Sequence, residues 1–278
     1  MKFFYTLLIA WHGVRMKPSR TFLTLLGITI GIASVILIAS LGAGTRQLIT
    51  AEISGIGADI LSIQPGREAA GFADIASRLY SDTLKERDIT ALKRKENVPH
   101  AVSVEGMVLV PGNVTYENEV YYPQIIGASA QFYEDVFDIR VAEGELHGES
   151  DAREKAAVAV IGDTVRKELF GEMPALGERI TIRGKKFRVS GILPPTGQVA
   201  FAQIDETVLV PYTTAQTYLT GQSHFNEIIV QVDNSAYVAQ TERDIEYTLR
   251  DVRDFEDDDE SDFVIRTPAA LMEQVDTI

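Results

Sequence analysis

Phe22 to Leu41 reads FLTLLGITIGIASVILIASL, twenty residues without a charged side chain. At about 1.5 Å per residue, a helix of this length spans roughly the 30 Å hydrocarbon core of a bilayer. The run predicts a transmembrane helix, drawn here as residues 21–41. A cleaved secretory signal and a buried soluble helix are the alternatives. A signal would place a shorter apolar stretch nearer the N-terminus and follow it with a small-residue cleavage site. Here 21 residues precede the run and no A-x-A site follows it.

Charge divides around this segment. The first fifty residues hold five bases (Lys2, Arg15, Lys17, Arg20 and Arg46) and no acid, which leaves 21 bases against 40 acids, a net of -19, in residues 51–278. Three of those bases precede the span closely and only Arg46 follows it, so the N-terminus is expected in the cytoplasm and the bulk outside. Phe3, Phe4, Leu7, Leu8, Trp11 and Val14 recur at helical spacing. They predict an amphipathic helix over 1–20 on the inner membrane face, anchored by Trp11, Arg15, Lys17 and Arg20. The alternative is the start of one long helix, against which Pro18-Ser19 argues for a break. The formal charge of -14 for the whole chain repels phosphate, so no nucleic-acid partner is expected. The absence of cysteine excludes disulfides, thiolate metal sites and cysteine nucleophiles, without deciding the compartment.

Within the span, Gly27 and Gly31 form a G-x-x-x-G that would let another helix approach closely, although glycine is common in membrane helices. Beyond it, Leu48, Ile49, Ile53 and Ile56 continue the helical pattern, which predicts a stalk over 42–57. The acidic region that follows reads as α+β. Strands are expected at Ala58–Gln64, Val102–Val110, Tyr121–Ile126, Ala156–Ile161, Arg179–Arg183, Phe187–Leu193, Glu227–Val232 and Phe263–Arg266. Helices are expected at Leu84–Lys95, Thr164–Phe170 and Ala236–Asp251. Gly184-Lys185 is the expected hairpin turn, with Ile180 and Ile182 pairing with Phe187 and Val189. Thr267 and Pro268 open a further helix over 268–278, whose Leu271, Met272, Val275 and Ile278 share a face. That pattern is still running at the last residue, which suggests a fragment of a longer chain about to return to the membrane.

Four stretches carry a resemblance. They are KPSRTFLTLLGITIGIASVILIASLGAGTRQLITAEISGIGADILSIQPG from Lys17, LFGEMPALGERITIRGKKFRVSGIL, VLVPYTTAQTYLTG and DFVIRTPAALMEQV, in that order. Together they resemble MacB-type ABC transporter permeases, the group that includes macrolide exporters, lipoprotein-release permeases and FtsX-like proteins. The resemblance implies four membrane helices, of which this chain holds the first, and a large extracytoplasmic domain in two parts. A porter-like part is expected at 58–135 and 216–267, with a smaller inserted part, called Sabre in the family, at 136–215. It also implies a second permease copy or paralogue, a cytoplasmic ABC ATPase, a possible periplasmic adaptor and the lipid membrane as partners. Such permeases transmit motion across the membrane. On that basis Leu48, Ile49 and Ile53 are expected to pack against Leu271, Val275 and Ile278 as a paired stalk.

Catalytic chemistry finds no foothold. Gly42-Ala43-Gly44-Thr45-Arg46 lacks the lysine and spacing of a phosphate-binding loop, so ATP hydrolysis is assigned to a separate chain. The histidines at 12, 100, 147 and 224 are too scattered for H-E-x-x-H ligation, and no G-x-S-x-G elbow occurs. Glu143, Glu145 and His147 could share a strand face around a cation, but an acidic surface loop is the simpler reading. The acidic run Asp254–Asp262 lacks the glycine of a calcium loop. No catalytic, cofactor-binding or metal-binding residue is therefore expected. Beside the permease reading stand a membrane-anchored extracytoplasmic scaffold and a tethered hydrolase, the latter without a catalytic cluster.

Overall fold

The computed structural model describes residues 18–55, 59–66, 82–129, 132–137, 139–199, 202–256 and 261–267. Two compact units emerge, Met1–Ala51 and Glu52–Ile278. From the N-terminus the elements are α1 (Pro18–Gly55), β1 (Ile60–Pro65), α2 (Glu86–Leu92), β2 (Ala101–Val110), β3 (Val114–Tyr116), β4 (Glu119–Tyr121) and β5 (Gln124–Ala128). Then come α3 (Phe132–Phe137), β6 (Glu143–Gly144), α4 (Glu149–Glu154), β7 (Val158–Ile161), α5 (Asp163–Phe170), β8 (Arg179–Ile182) and β9 (Lys185–Ile192). The last are β10 (Gln198–Val199), β11 (Ala202–Gln203), β12 (Thr207–Pro211), α6 (Tyr212–Thr214), β13 (Glu227–Val232), α7 (Val238–Val252) and β14 (Phe263–Arg266). The architecture is α+β, with a mixed sheet.

The two ends of the second unit fold together. β1-α2-β2 and β13-α7-β14 are each strand, helix, strand, and their strands interleave in the order β14-β1-β13-β2, every neighbour antiparallel. This is the split βαβ arrangement of ferredoxin-like sheets. α7 buries Val238, Thr241, Ile245, Thr248 and Leu249, a stripe at helical spacing. α2 buries Ile89, Ala91 and Leu92. These helices share one core with Leu61, Ile63, Val104, Val108, Ile228 and Val230.

Residues 111–226 intervene between β2 and β13 and continue the sheet as β5-β12-β7-β9-β8-β3-β4, with β6 on β9. β5 lies parallel to β12, and β7 parallel to β9. The link is β2, which pairs with β13 along Ala101–Met107 and with β5 along Val108–Val110. Alternate β2 side chains enter different cores, Val104, Val108 and Val110 on one side and Met107 on the other. That period of two buries both faces of the strand that joins the sheets.

Two expectations require correction. Tyr121–Ile126 is not one strand: β4 ends at Tyr121 and β5 starts at Gln124. Pro123, which has no N–H to donate to a ladder, lies in the gap. β3 and β5 also pair with β8 and β12, so residues 114–128 hydrogen-bond into the intervening segment. The β8–β9 turn is Arg183-Gly184, with φ of 48° and 79°, one residue earlier than expected. Such a two-residue turn with both φ positive fixes the register, placing Ile182 opposite Lys185 and Ile180 opposite Phe187. Neither isoleucine therefore faces Val189.

A buried ion pair ties α2 to the end of α7. Asp88 is fully buried; its Oδ2 accepts from the Lys85 backbone N–H at 2.8 Å and from Arg253 Nη2 at 2.9 Å. Arg253 also donates to Asp262, just before β14, and its guanidinium lies 5.2 Å from the Phe263 ring centroid. Truncating one partner of such a pair strands a charge in the core, at about 3–5 kcal/mol. Arg253→Ala should lower the unfolding free energy of the second unit by about that amount in urea titrations. Asp88→Asn combined with Arg253→Met keeps the cap on Lys85 and leaves no charge between the helices. The double variant should recover most of the loss.

Candidate functional site

The membrane candidate is the first part of α1, Pro18–Gly42, 25 residues with none buried. Among the described residues it is the one helix long and apolar enough to cross a bilayer. Leu23, Val35, Leu37, Ile38 and Leu41 each stand at least two-thirds exposed, a surface that water penalises and lipid accepts. Within it the hydroxyl of Thr24 donates to the Arg20 carbonyl at 2.8 Å, which satisfies it without water. Gly27 and Gly31 lie one turn apart, and a Cβ added at either would meet nothing within 4 Å. Helical backbone continues without interruption to Gly55, so the span and the expected stalk form one 38-residue helix.

The remaining expected positions are distributed unevenly. Arg20 is exposed near the start of α1, whereas Trp11, Arg15 and Lys17 lie outside the described residues. Leu48, Ile49 and Ile53 are in the helical backbone, but their side chains are outside the described set; so are Leu271, Val275 and Ile278 entirely. No pairing between the two groups is therefore described.

The cation constellation does not form. Glu143 and Glu145 point to solvent while His147 turns inward and is 1% exposed. Among the described residues no group of three or more His, Asp or Glu is placed to hold a metal. His147 instead sits ahead of α4, where Asp151 caps Gly148 at 2.7 Å. Sequence reading also passes over Arg183. The signal lies in RITIRGKKFR, residues 179–188, which holds five bases, and no acid occurs from 179 to 204.

Among the described residues, one helix of membrane-spanning length and apolarity precedes an acidic split-βαβ unit with a large insertion. The chain belongs to the MacB-like periplasmic core domain family, whose pattern matches residues 21–247. It is 33% identical over 277 residues to the macrolide export ATP-binding/permease protein MacB of Wolinella succinogenes, covering 99% of this chain and 41% of that protein. The protein of the same name from Neisseria meningitidis is 34% identical over 241 residues, 86% of this chain and 36% of its own length. The chain thus spans about two-fifths of the length of these relatives, which by name are macrolide export ATP-binding/permease proteins. Its fold matches the periplasmic region of MacB from Actinobacillus actinomycetemcomitans with a TM-score of 0.67 at 22% identity, over 81% of this chain and 96% of that one. The extracellular domain of the ABC-type transporter YknZ of Gram-positive bacteria gives 0.59 at 17% identity, over 75% and 100%.

His147 supplies a pH dependence. Neither ring nitrogen has a hydrogen-bond partner among the described residues, and burial pushes its pKa from 6.5 down to about 4, against a weaker opposing pull from Asp151. In the unfolded chain it takes up a proton near 6.5, so the folded state keeps its full advantage above that pH and loses it as pH falls toward 4. At about 1.4 kcal/mol per pH unit the loss is roughly 3 kcal/mol. Thermal unfolding between pH 7 and 4 should show this slope, and His147→Phe should flatten it.

Proposed function

We propose that this chain is the permease portion of an ABC-type exporter, in which α1 passes ATP-driven motion from the cytoplasmic side to the extracytoplasmic unit. The observation that carries the reading is the helix running through Gly42, where apolarity suffices for a membrane, on to Gly55. A flexible tether would absorb displacement, whereas a continuous helix of about 57 Å passes it on. The N-terminus lies in the cytoplasm, as Arg15, Lys17 and Arg20 favour, and the acidic unit lies outside. The extracytoplasmic unit divides into a porter-like part, the β14-β1-β13-β2 layer with α2 and α7, and a Sabre-like insertion. Strand pairing supports drawing that insertion at about residues 111–226.

ATP is hydrolysed by an ABC ATPase, a reading that the relatives' name, ATP-binding/permease protein, supports. A second permease copy completes the membrane assembly, and a periplasmic adaptor receives the output. The relatives' names make export of a macrolide-like compound the first substrate class to assay. Leu48, Ile49 and Ile53 pack against a returning helix through Leu271, Val275 and Ile278.

Gly27 and Gly31 form the contact between membrane helices, because a glycine pair one turn apart admits a neighbouring backbone. Gly31→Leu should leave insertion intact, leucine being favourable in lipid, but reduce cross-linked assembly several-fold. Unchanged assembly would make these glycines incidental. Gly-Gly-Ser inserted after Gln47 in the full-length permease with its ATPase should preserve insertion, ATPase binding and hydrolysis yet abolish export. Normal export by that variant would reduce the stalk to a spacer and favour an anchored scaffold instead.

A further inference from the structure

The β8–β9 hairpin tip, the end of β2 and the start of β5 enclose a cleft of about 600 Å³. This volume is within the usual range for small-ligand sites. Leu109 and Pro111 give it apolar surface, with Val110, Pro123 and Ile125 buried beneath, and among the described residues Arg183 is the one charged residue that lines it. The Arg183 side chain forms no salt bridge or hydrogen bond with any described residue. Its surroundings add to its field: Lys185 and Lys186 flank it on a hairpin without acids, inside a region of net charge -19. An unpaired cation at an apolar cleft in an otherwise acidic unit is a place where one anion gains most.

The backbone at this cleft is unusual at three points. Arg183 holds φ of 48° at the hairpin tip, a left-handed conformation that side chains other than Gly, Asn and Asp seldom adopt. Gly112 holds φ of 151°, and a Cβ there would stand 3.3 Å from Arg183 Cγ, so the glycine gives the arginine stem room to lie against the end of β2. The helix after α6 widens to π form over Ala215–Thr220, which brings Thr220 and then Gln222 to the cleft. π segments and strained backbone concentrate at binding sites. Asn226 is already committed, its Oδ1 accepting the Leu109 N–H at 2.8 Å. The side-chain amides of Gln124 and Gln222, which line the same cleft, make no such bond with any described residue.

We infer that this cleft binds an apolar monocarboxylate of about tripeptide size, its carboxylate on Arg183 and its body against Leu109 and Pro111. One guanidinium receives one carboxylate as a bidentate pair. A phosphate dianion would bring a second charge that the acidic unit opposes. The chemistry fits the C-terminus of an apolar peptide and also a short acyl acid. The inference goes beyond the transport reading, because it concerns binding alone and requires neither ATP nor export.

The test is calorimetric titration of the 278-residue chain in lipid nanodiscs, with empty nanodiscs as the blank. N-acetyl-trileucine with a free carboxylate should bind saturably, and its carboxamide should bind at least about tenfold more weakly. Arg183→Gln should weaken the acid by about tenfold or more, and Arg183→Lys by less, since lysine keeps the charge but not the fork. Lys186→Gln, on the same hairpin but outside the cleft, should change binding by less than about twofold. Octanoate binding with the same Arg183 dependence would identify the source as acyl acids; binding of the peptide alone would identify peptide ends. Equal binding of acid and amide, equal loss in the Arg183 and Lys186 variants, or no saturable binding of either acid up to about 1 mM would overturn the assignment. A failed export assay with intact binding would count against the transport reading and leave the cleft standing.

Discussion

Asp88 and Arg253 stand 165 residues apart and meet with side chains 0% and 3% exposed. Each belongs to a different strand-helix-strand half, and neither half can close a sheet by itself, because β13 separates β1 from β2 and β1 separates β13 from β14. The ion pair therefore forms only when the interleaved order is correct. Removing two charges from water is expensive, and the return comes from good geometry and from the Lys85 and Asp262 contacts that occupy their remaining sites. An apolar pair could equal it in stability. What the charges add is a penalty on every arrangement that leaves either one buried alone.

The same constraint explains how the unit carries a large insertion. Residues 111–226 leave and re-enter at β2 and β13, which are neighbours in the sheet, so the insertion needs no opening in the layer that hosts it. β2 then continues beyond its partner and gives Val108–Val110 to β5. One strand is thus the spine of both parts, and its alternating side chains serve two cores. A displacement at either end of β2 meets close-packed neighbours on both faces, the condition under which packed interiors transmit strain.

Charge is arranged as a third level of organisation. The acids lie in the second unit and the early bases flank the apolar run in sequence, while the β8–β9 hairpin interrupts the acidic region with five bases. Arg179 lies directly opposite Arg188 in that hairpin, a like-charged cross-strand pair that local stability alone would disfavour. The two-residue turn with positive φ pins that register, so the repulsion persists in the folded protein.

Periodicity and composition by themselves determined the membrane helix, the α+β class, the strand-helix-strand units at both ends and the strands Glu227–Val232 and Phe263–Arg266, because each depends on side chains near one another in the chain. The uncharged run from Phe22 to Leu41 needs no partner to be recognised, and α7 declares its buried stripe through spacing alone. Tertiary structure decided the rest. Tyr121–Ile126 looks like one strand until Pro123 divides it, and Glu143, Glu145 and His147 look like an acidic surface loop until the fold turns His147 inward. Asp88 and Arg253 look like two charges on amphipathic helices, and Arg183 like one base among five. Sequence could not pair them or place them in a cleft, because burial and contact are properties of which distant segments meet, and no local pattern records that choice.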